Sequence, residues 1–154
     1  SALLFIGITD LSVARETPRN PTWRVDAKDE AAAHRVRRAL LWHIGEVASP
    51  GSDFAAAEAI IGELVSNVAR HTPGDAEITL ECNNGHAALH ICDRGRAFQS
   101  TGEHAPDVLA ENGRGLFLVR TLAQSFEVKH TGEGNRVSVV LPVAMAAAFS
   151  ITAA

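Results

Sequence analysis

Two polar side chains, Glu63 and Asn67, stand four residues apart within a long, mostly apolar stretch of the sequence. In an α-helix this spacing stacks the two side chains on one side, one turn apart. Helical-wheel geometry puts them at the edge of the apolar stripe, where polar groups cost free energy unless they line a cavity or find partners. A carboxylate and an amide in this arrangement can hold a hydrated Mg²⁺ ion and orient a nucleophile. His71 extends the same row if the helix continues for another turn.

A second group, Asp93-Arg94-Gly95, follows an apolar segment that reads as a β-strand. A carboxylate at the end of a strand can accept a hydrogen bond from an exocyclic amine such as N6 of adenine. Gly95 has no Cβ, so the backbone there can approach a flat base closely. An Asp-x-Gly sequence is also a common turn, so this group is weak evidence when it is taken alone.

A third group, Asn112-Gly113-Arg114-Gly115-Leu116, leads into a helical pattern of apolar residues. Glycines at a helix N-terminus leave free N–H groups at the positive end of the helix dipole, which suits a phosphate. Arg114 adds a positive charge. The dinucleotide-binding fingerprint is incomplete here, and there is no Walker-type phosphate loop. The group therefore predicts a phosphate contact at the start of a helix.

These groups depend on helices and strands that position them. The apolar periodicity predicts, in order, a strand at Trp23–Val25, helices at about Glu30–Val47 and Phe54–Arg70, strands at Glu77–Cys82 and His86–Cys92, a helix at Gly113–Gln124, and a hairpin of Phe126–Thr131 with Arg136–Leu141. The long segment from Asp93 to Asn112 is typical of a functional lid. Helices combined with hairpins predict an α+β fold, a two-layer α/β sandwich with a mostly antiparallel sheet. We expect an extension or linker at 1–21, the domain at 22–143 and a tail at 144–154.

The bulk properties of the 154-residue chain narrow the class of protein to one ordinary globular domain. The formal net charge is −4 and no run of Lys or Arg is present, so we expect no direct nucleic-acid partner. No apolar run reaches the ~18 residues of a membrane span, and we expect a cytoplasmic protein. Cys82 and Cys92 lie too far apart along the predicted hairpin for a disulfide and are expected to be buried, reduced thiols. The histidines show no metal-ligand spacing, which argues against a zinc site.

Taken together, the three groups resemble the GHKL ATPase superfamily in their order and context. In particular, Glu63–His71 and Gly113–Val119 look like the N-box and the second glycine box of the bacterial anti-sigma-factor serine kinases. The resemblance covers about Thr22 to Pro142 and implies the histidine-kinase-like ATPase fold, with ATP and Mg²⁺ as cofactors.

The resemblance also implies roles for individual residues. Glu63 would match the general base that activates a serine or threonine hydroxyl of a partner protein, and Asn67 the Mg²⁺ ligand. Asp93 would contact adenine, with Gly95 packed close to the base. The expected nucleotide-binding residues in the two motifs are Asn67, His71, Gly113, Arg114, Gly115 and Leu116. Of these, the glycines and Arg114 would cradle the phosphates.

The resemblance favours a serine/threonine protein kinase that is also an anti-sigma factor. Such a protein binds a sigma factor in one state and phosphorylates an anti-anti-sigma antagonist in another, and a homodimer is compatible with it. Arg96 stands where the first glycine box often has a second glycine, and an arginine cannot adopt glycine's conformations. This departure favours an alternative, a non-catalytic ATP-binding module that switches partners. A sensor histidine kinase domain is less expected, because residues 2–21 are too short for a phosphoacceptor helix pair.

Overall fold

A computed structural model of the chain describes residues 20–72, 74–83, 85–93, 108–132 and 134–145. For residues 108–114 and 131 it describes the backbone path only. In these ranges the order of elements is β1 (Thr22–Asp26), α1 (Glu30–Val47), α2 (Phe54–His71), β2 (Asp75–Asn83), β3 (His86–Asp93), α3 (Val108–Leu122), β4 (Ser125–Thr131) and β5 (Gly134–Ala144).

The first two helices begin at aspartate caps. The Asp29 side chain accepts a hydrogen bond from Ala32 N at 3.0 Å, and Asp53 accepts one from Ala56 N at 3.0 Å. Each carboxylate thus satisfies one of the free N–H groups of a first helical turn. The buried stripe of α2 consists of Ala56, Ala57, Ile60, Ile61, Leu64, Val65 and Val68. The two predicted helices are therefore confirmed, and α2 extends to His71.

The five strands form one antiparallel sheet in the order β1-β2-β3-β5-β4. Gly85, at the start of the turn into β3, has a φ of +79°, a conformation that glycine adopts without strain. The odd-numbered residues of β3 and β5 face the helices, and Leu89, Val139 and Leu141 are fully buried there. The described helices all pack on one face of the sheet, which confirms the predicted α+β fold with two layers.

Contacts of the described residues continue slightly beyond the predicted limits of 22 and 143. At the beginning, Leu80 N donates to Pro21 O at 3.0 Å, and Pro21 is buried. At the end, β5 includes Ala144, and Met145 N donates to Gly85 O at 3.0 Å. Met145 also packs against the core, while the division into extension, domain and tail stays a prediction.

The cysteines differ in part from expectation. Both are free thiols, as predicted, and Cys82 pairs with Ala87 across the hairpin. Cys82 is half-buried, but Cys92 is exposed, so the expectation of a buried Cys92 is wrong. The reason is strand alternation: Cys92 occupies an even-numbered position of β3, on the sheet face opposite to the described helices. Among the helices that the structure describes, none has the length and hydropathy to cross a membrane.

Candidate functional site

Helix α2 presents Glu63 and Asn67 side by side at the margin of its buried stripe. Both side chains are half-buried, next to the buried Leu64 and Val68. Among the described residues, no hydrogen bond or ion pair holds either side chain. The predicted position at the edge of the stripe is therefore confirmed, and the oxygens of this pair are available to a ligand.

Helix α3 passes close to α2 at Gly115. A Cβ built on Gly115 would overlap Glu63 Oε2 and would lie 3.1 Å from Glu63 Cδ. Only a glycine lets the backbone of α3 pass this close to the carboxylate while Glu63 keeps its present conformation. The absence of a side chain at Gly115 therefore leaves the room that the Glu63 carboxylate occupies, a role that the sequence pattern alone did not indicate.

The predicted start of α3 is wrong. The helix begins at Val108, so Gly113 is its sixth residue and Gly115 its eighth. Inside a helix each N–H bonds to the carbonyl four residues earlier, so these glycines have no free N–H groups to offer a phosphate. The physical reason is propensity, because Leu109, Ala110 and Glu111 are strong helix formers that extend the helix toward its N-terminus. Gly113, Arg114, Gly115 and Leu116 remain predicted nucleotide contacts, but not through an open helix end.

Asp93, the last residue of β3, lies half-buried on the helix-facing side of the sheet. Directly opposite it in β5 is Asn135, whose Nδ2 donates to Asp93 Oδ1 at 3.1 Å. Asn135 is only 5% exposed, and it is the one polar residue among those classed as buried in the described part of the chain. His130 Nδ1 lies 2.6 Å from Asn135 Oδ1.

The sequence analysis missed Asn135. One signal for it was present, because Asn135 occupies an odd-numbered position of β5, and the other odd-numbered positions are Val137, Val139, Leu141 and Val143. A polar residue at the end of an otherwise apolar row calls for a partner, since an unpaired buried amide is costly. Its partner Asp93 lies across from it in β3, which is not a neighbour of β5 in sequence, so only the pairing of these two strands in the sheet brings the two residues together.

A groove of about 750 Å³ runs between α1 and α2 and reaches α3. Its lining includes His34 and Arg37 of α1, Gly62, Glu63 and Ser66 of α2, and Leu118 of α3. Arg37 Nη2 lies 3.6 Å from Glu58 Oε1 across the groove. Of the predicted site residues in the described ranges, Glu63 belongs to this groove and Asn67 does not. Glu63 therefore borders two spaces, the groove and the region around Asn67.

The structure says less about His71 and about the residues that follow Asp93. His71 is the last residue of α2 and its side chain is exposed, so the row that begins at Glu63 does reach it. Arg94, Gly95 and Arg96 lie outside the residues that the structure describes. The predicted adenine contact of Gly95 and the effect of Arg96 thus stay predictions.

The donor set suits Mg²⁺ and does not suit a metal held by the protein alone. No group of three or more His, Cys, Asp or Glu side chains in the described part of the chain can enclose an ion. Mg²⁺ commonly takes one or two protein oxygens and fills its other positions with water and substrate phosphates. The Asn67 side-chain oxygen, with the Glu63 carboxylate one turn away, fits that pattern.

Comparison with known proteins agrees with this geometry. Residues 25–141 match the family model of the histidine kinase-like ATPase domain. This range contains Glu63, Asn67, Asp93 and Gly115 and covers well over half of the 154 residues. A comparison with curated proteins finds no match. With its α+β fold and the match across most of its length, the chain belongs to the histidine kinase-like ATPase domain family and is an ATP-binding domain of the GHKL superfamily.

Proposed function

We propose that the protein is an ATP-dependent serine/threonine kinase and anti-sigma factor. In this proposal it phosphorylates an anti-anti-sigma antagonist and, in its other state, sequesters a sigma factor. The observation that carries the proposal is the position of Glu63. Glu63 is one of the residues that line an open groove, and it lies one helical turn from Asn67.

This position suits transfer to a second protein. Phosphotransfer needs an acceptor hydroxyl that reaches the base from outside the nucleotide pocket. The groove between α1 and α2 provides such an approach, and its volume of about 750 Å³ accommodates several side chains of a protein segment.

The chemistry that we propose uses few protein groups. The acceptor oxygen forms a bond to the γ-phosphorus of ATP while the bond from that phosphorus to the β,γ-bridging oxygen breaks, and ADP leaves. The Glu63 carboxylate takes the proton of the hydroxyl, and the absence of a side chain at Gly115 leaves room for that carboxylate. Asn67 would hold Mg²⁺, which neutralises the charge that develops on the phosphates.

The decisive variant is Glu63→Gln, which keeps the shape of the side chain and removes its basicity. We expect phosphorylation of the antagonist to fall about 10²- to 10⁴-fold, with ATP affinity nearly unchanged. The assay mixes radiolabelled ATP and Mg²⁺ with each anti-anti-sigma protein encoded in the same genome. The matched control is Glu58→Gln, because Glu58 lies in the same groove on the same helix but faces Arg37.

Each outcome separates the proposal from its alternatives. ATP binding without transfer to any antagonist, in wild type and variant alike, identifies a non-catalytic partner-switching module. Label that appears on a histidine of the chain itself identifies a sensor-kinase type of activity. Calorimetry with Asn67→Ala tests the metal site separately, since this variant should weaken ATP binding in the presence of Mg²⁺ and leave metal-free binding unchanged. Gel filtration with sigma factors of the same genome, in ADP and in ATP, tests sequestration.

A further inference from the structure

The outer edge of β4 is accessible to a further strand. In the sheet order β1-β2-β3-β5-β4, this strand pairs with β5 on one side, and no described strand lies on its other side. Alternate residues of such an edge leave their N–H and C=O groups free to pair with another chain. From Ser125 to His130 every residue except the half-buried Phe126 is exposed, so a partner strand can reach this edge.

The charges of β4 are arranged so that the strand complements itself. Two copies that meet edge to edge about a two-fold axis run antiparallel. With the axis at Val128, the partner's Lys129 lies directly opposite Glu127, and by symmetry the partner's Glu127 lies opposite Lys129. Opposite charges in such cross-strand positions stabilise the pairing, whereas like charges there destabilise it.

The neighbouring registers lack this complementarity. Side chains keep to matching faces of the joined sheet only if the axis passes through a residue, so the next registers have their axes at Glu127 or Lys129. The first would place two glutamates opposite each other, and the second two lysines. The axis at Val128 also pairs the whole of β4, with Ser125 opposite the partner's Thr131. Charge and length therefore select the same register.

The surroundings of Lys129 within one copy favour a further carboxylate on its free side. Its direct partner in β5 is Arg136, a like charge on the same face of the sheet. Glu127 Oε1 of its own strand lies 3.4 Å from Lys129 Nζ. A lysine on an edge strand commonly repels a further strand. Here the partner's Glu127 would lie on the side of Lys129 away from Arg136 and would offset the repulsion between the two cations.

Two exposed apolar side chains lie on the same side of the domain as this edge. Val128 is 40% exposed and Phe117 of α3 is 71% exposed. Arg120 follows Phe117 by one helical turn on the same side of α3, and its guanidinium carbon lies 5.3 Å from the centre of the Phe126 ring. Phe117 is therefore on the side of α3 that faces β4, where a second copy would cover it.

We propose that the outer edge of β4 is the surface through which two copies of this chain form a dimer. The two strands pair antiparallel about Val128, and the sheets of both copies join into one sheet with all the described helices on the same face. The groove between α1 and α2 stays open, because α1 packs on β1 at the opposite edge of the sheet. This dimer does not depend on the kinase activity proposed above.

Analytical ultracentrifugation of the full chain measures the dissociation constant of the dimer, and charge swaps test its register. Glu127→Lys makes all of the facing charges positive, and Lys129→Glu makes all of them negative. Each variant replaces two attractive contacts by two repulsive ones, so we expect its dissociation constant to rise at least about tenfold. The double swap Glu127→Lys/Lys129→Glu restores opposite charges throughout and should recover the wild-type value.

A mixture of the two single variants tests the pairing most specifically. In their heterodimer every lysine faces a glutamate, so the mixture should dimerise more tightly than either variant alone. Lys28→Glu is the matched control, because it changes the net charge equally at an exposed position after β1, and it should leave the dissociation constant unchanged. Glu127 and Lys129 are exposed, so the swaps leave the core intact, and unchanged far-UV circular dichroism checks this.

A disulfide locates the axis. In a Cys82→Ala/Cys92→Ala background, Val128→Cys places two thiols directly opposite each other, and mild oxidation should produce a covalent dimer on a non-reducing gel. Glu127→Cys in the same background is the control, since its two thiols occupy diagonal positions about 7–8 Å apart and should not link.

Two kinds of result would overturn the inference. Sedimentation of the wild-type protein as a monomer at concentrations up to about 1 mM would show that no such dimer forms. A dimer that the charge swaps leave unchanged and that Val128→Cys does not link would show that the copies meet at another surface.

Discussion

Replacement of Gly115 by alanine should separate stability from catalysis. In a helix interior, Gly→Ala stabilises by about 1 kcal/mol, because alanine loses less backbone entropy on folding. Here the new methyl group would overlap Glu63 Oε2 and lie 3.1 Å from Cδ and 3.7 Å from Cγ of Glu63. These atoms belong to a flexible side chain that can rotate away, at a cost of roughly 0.5–1.5 kcal/mol. The two effects nearly cancel, so we expect the free energy of unfolding to change by less than about 1 kcal/mol.

Catalysis should respond quite differently from stability. A displaced Glu63 carboxylate no longer lies within reach of the acceptor hydroxyl, and loss of a general base typically costs about 10²- to 10⁴-fold in rate. We therefore expect Gly115→Ala to bind ATP while its phosphorylation of the antagonist falls by at least about a hundredfold. Urea unfolding measures the stability, calorimetry the ATP affinity, and transfer of radiolabelled phosphate the rate.

Gly45→Ala is the matched control for this experiment. Gly45 lies inside α1, and a Cβ built there meets no atom within 4 Å. We expect this variant to gain about 0.5–1 kcal/mol of stability with unchanged phosphotransfer. The reasoning would be refuted if Gly115→Ala transferred phosphate at the wild-type rate and gained as much stability as Gly45→Ala. The new methyl group would then neither displace the Glu63 carboxylate nor cost free energy.

Two further predictions concern stability. Asp53→Ala removes the cap that accepts from Ala56 N and should lower the free energy of unfolding by about 1 kcal/mol in urea titrations, whereas Asp53→Asn, which keeps a capping oxygen, should cost little. Burial raises the pKa of both the Cys82 and the Cys92 thiol above the ordinary value of 9.0. The folded state therefore holds these protons more tightly, and the contribution to stability is complete below pH 9 and is lost as the pH rises through the folded pKa values. The urea concentration at the unfolding midpoint should decrease as the pH is raised from 8 to 10, and it should decrease less in a Cys82→Ala/Cys92→Ala variant. If the midpoint changes equally with pH in both proteins, the effect belongs to other groups.

Local pattern was sufficient to predict most of the elements that carry the site. The stripe of apolar residues in α2 and the Glu63–Asn67 spacing depend only on the 3.6-residue period, which acts within a few residues of the chain. The hairpin of β2 and β3 follows in the same way from alternation on either side of a turn with Gly85.

Local pattern failed where two local preferences competed. The pair Gly113 and Gly115 suggested the start of a helix, while the residues from Val108 to Glu111 favour a longer helix by propensity. The second preference prevails in the structure, which changes what the glycines can do. Gly115 then serves the approach of α3 to α2, a requirement that arises only when two helices are brought together.

The sequence by itself thus determined the family, the α+β class and the residue types of the site, because periodicity and motif spacing are properties of neighbouring residues. The tertiary structure decided which of these residues meet. The contact of Gly115 with Glu63, the row from His130 through Asn135 to Asp93, and the groove that exposes Glu63 all join segments far apart in the chain. Such contacts depend on how helices pack on a sheet and on the register between strands, and no short stretch of sequence encodes them alone.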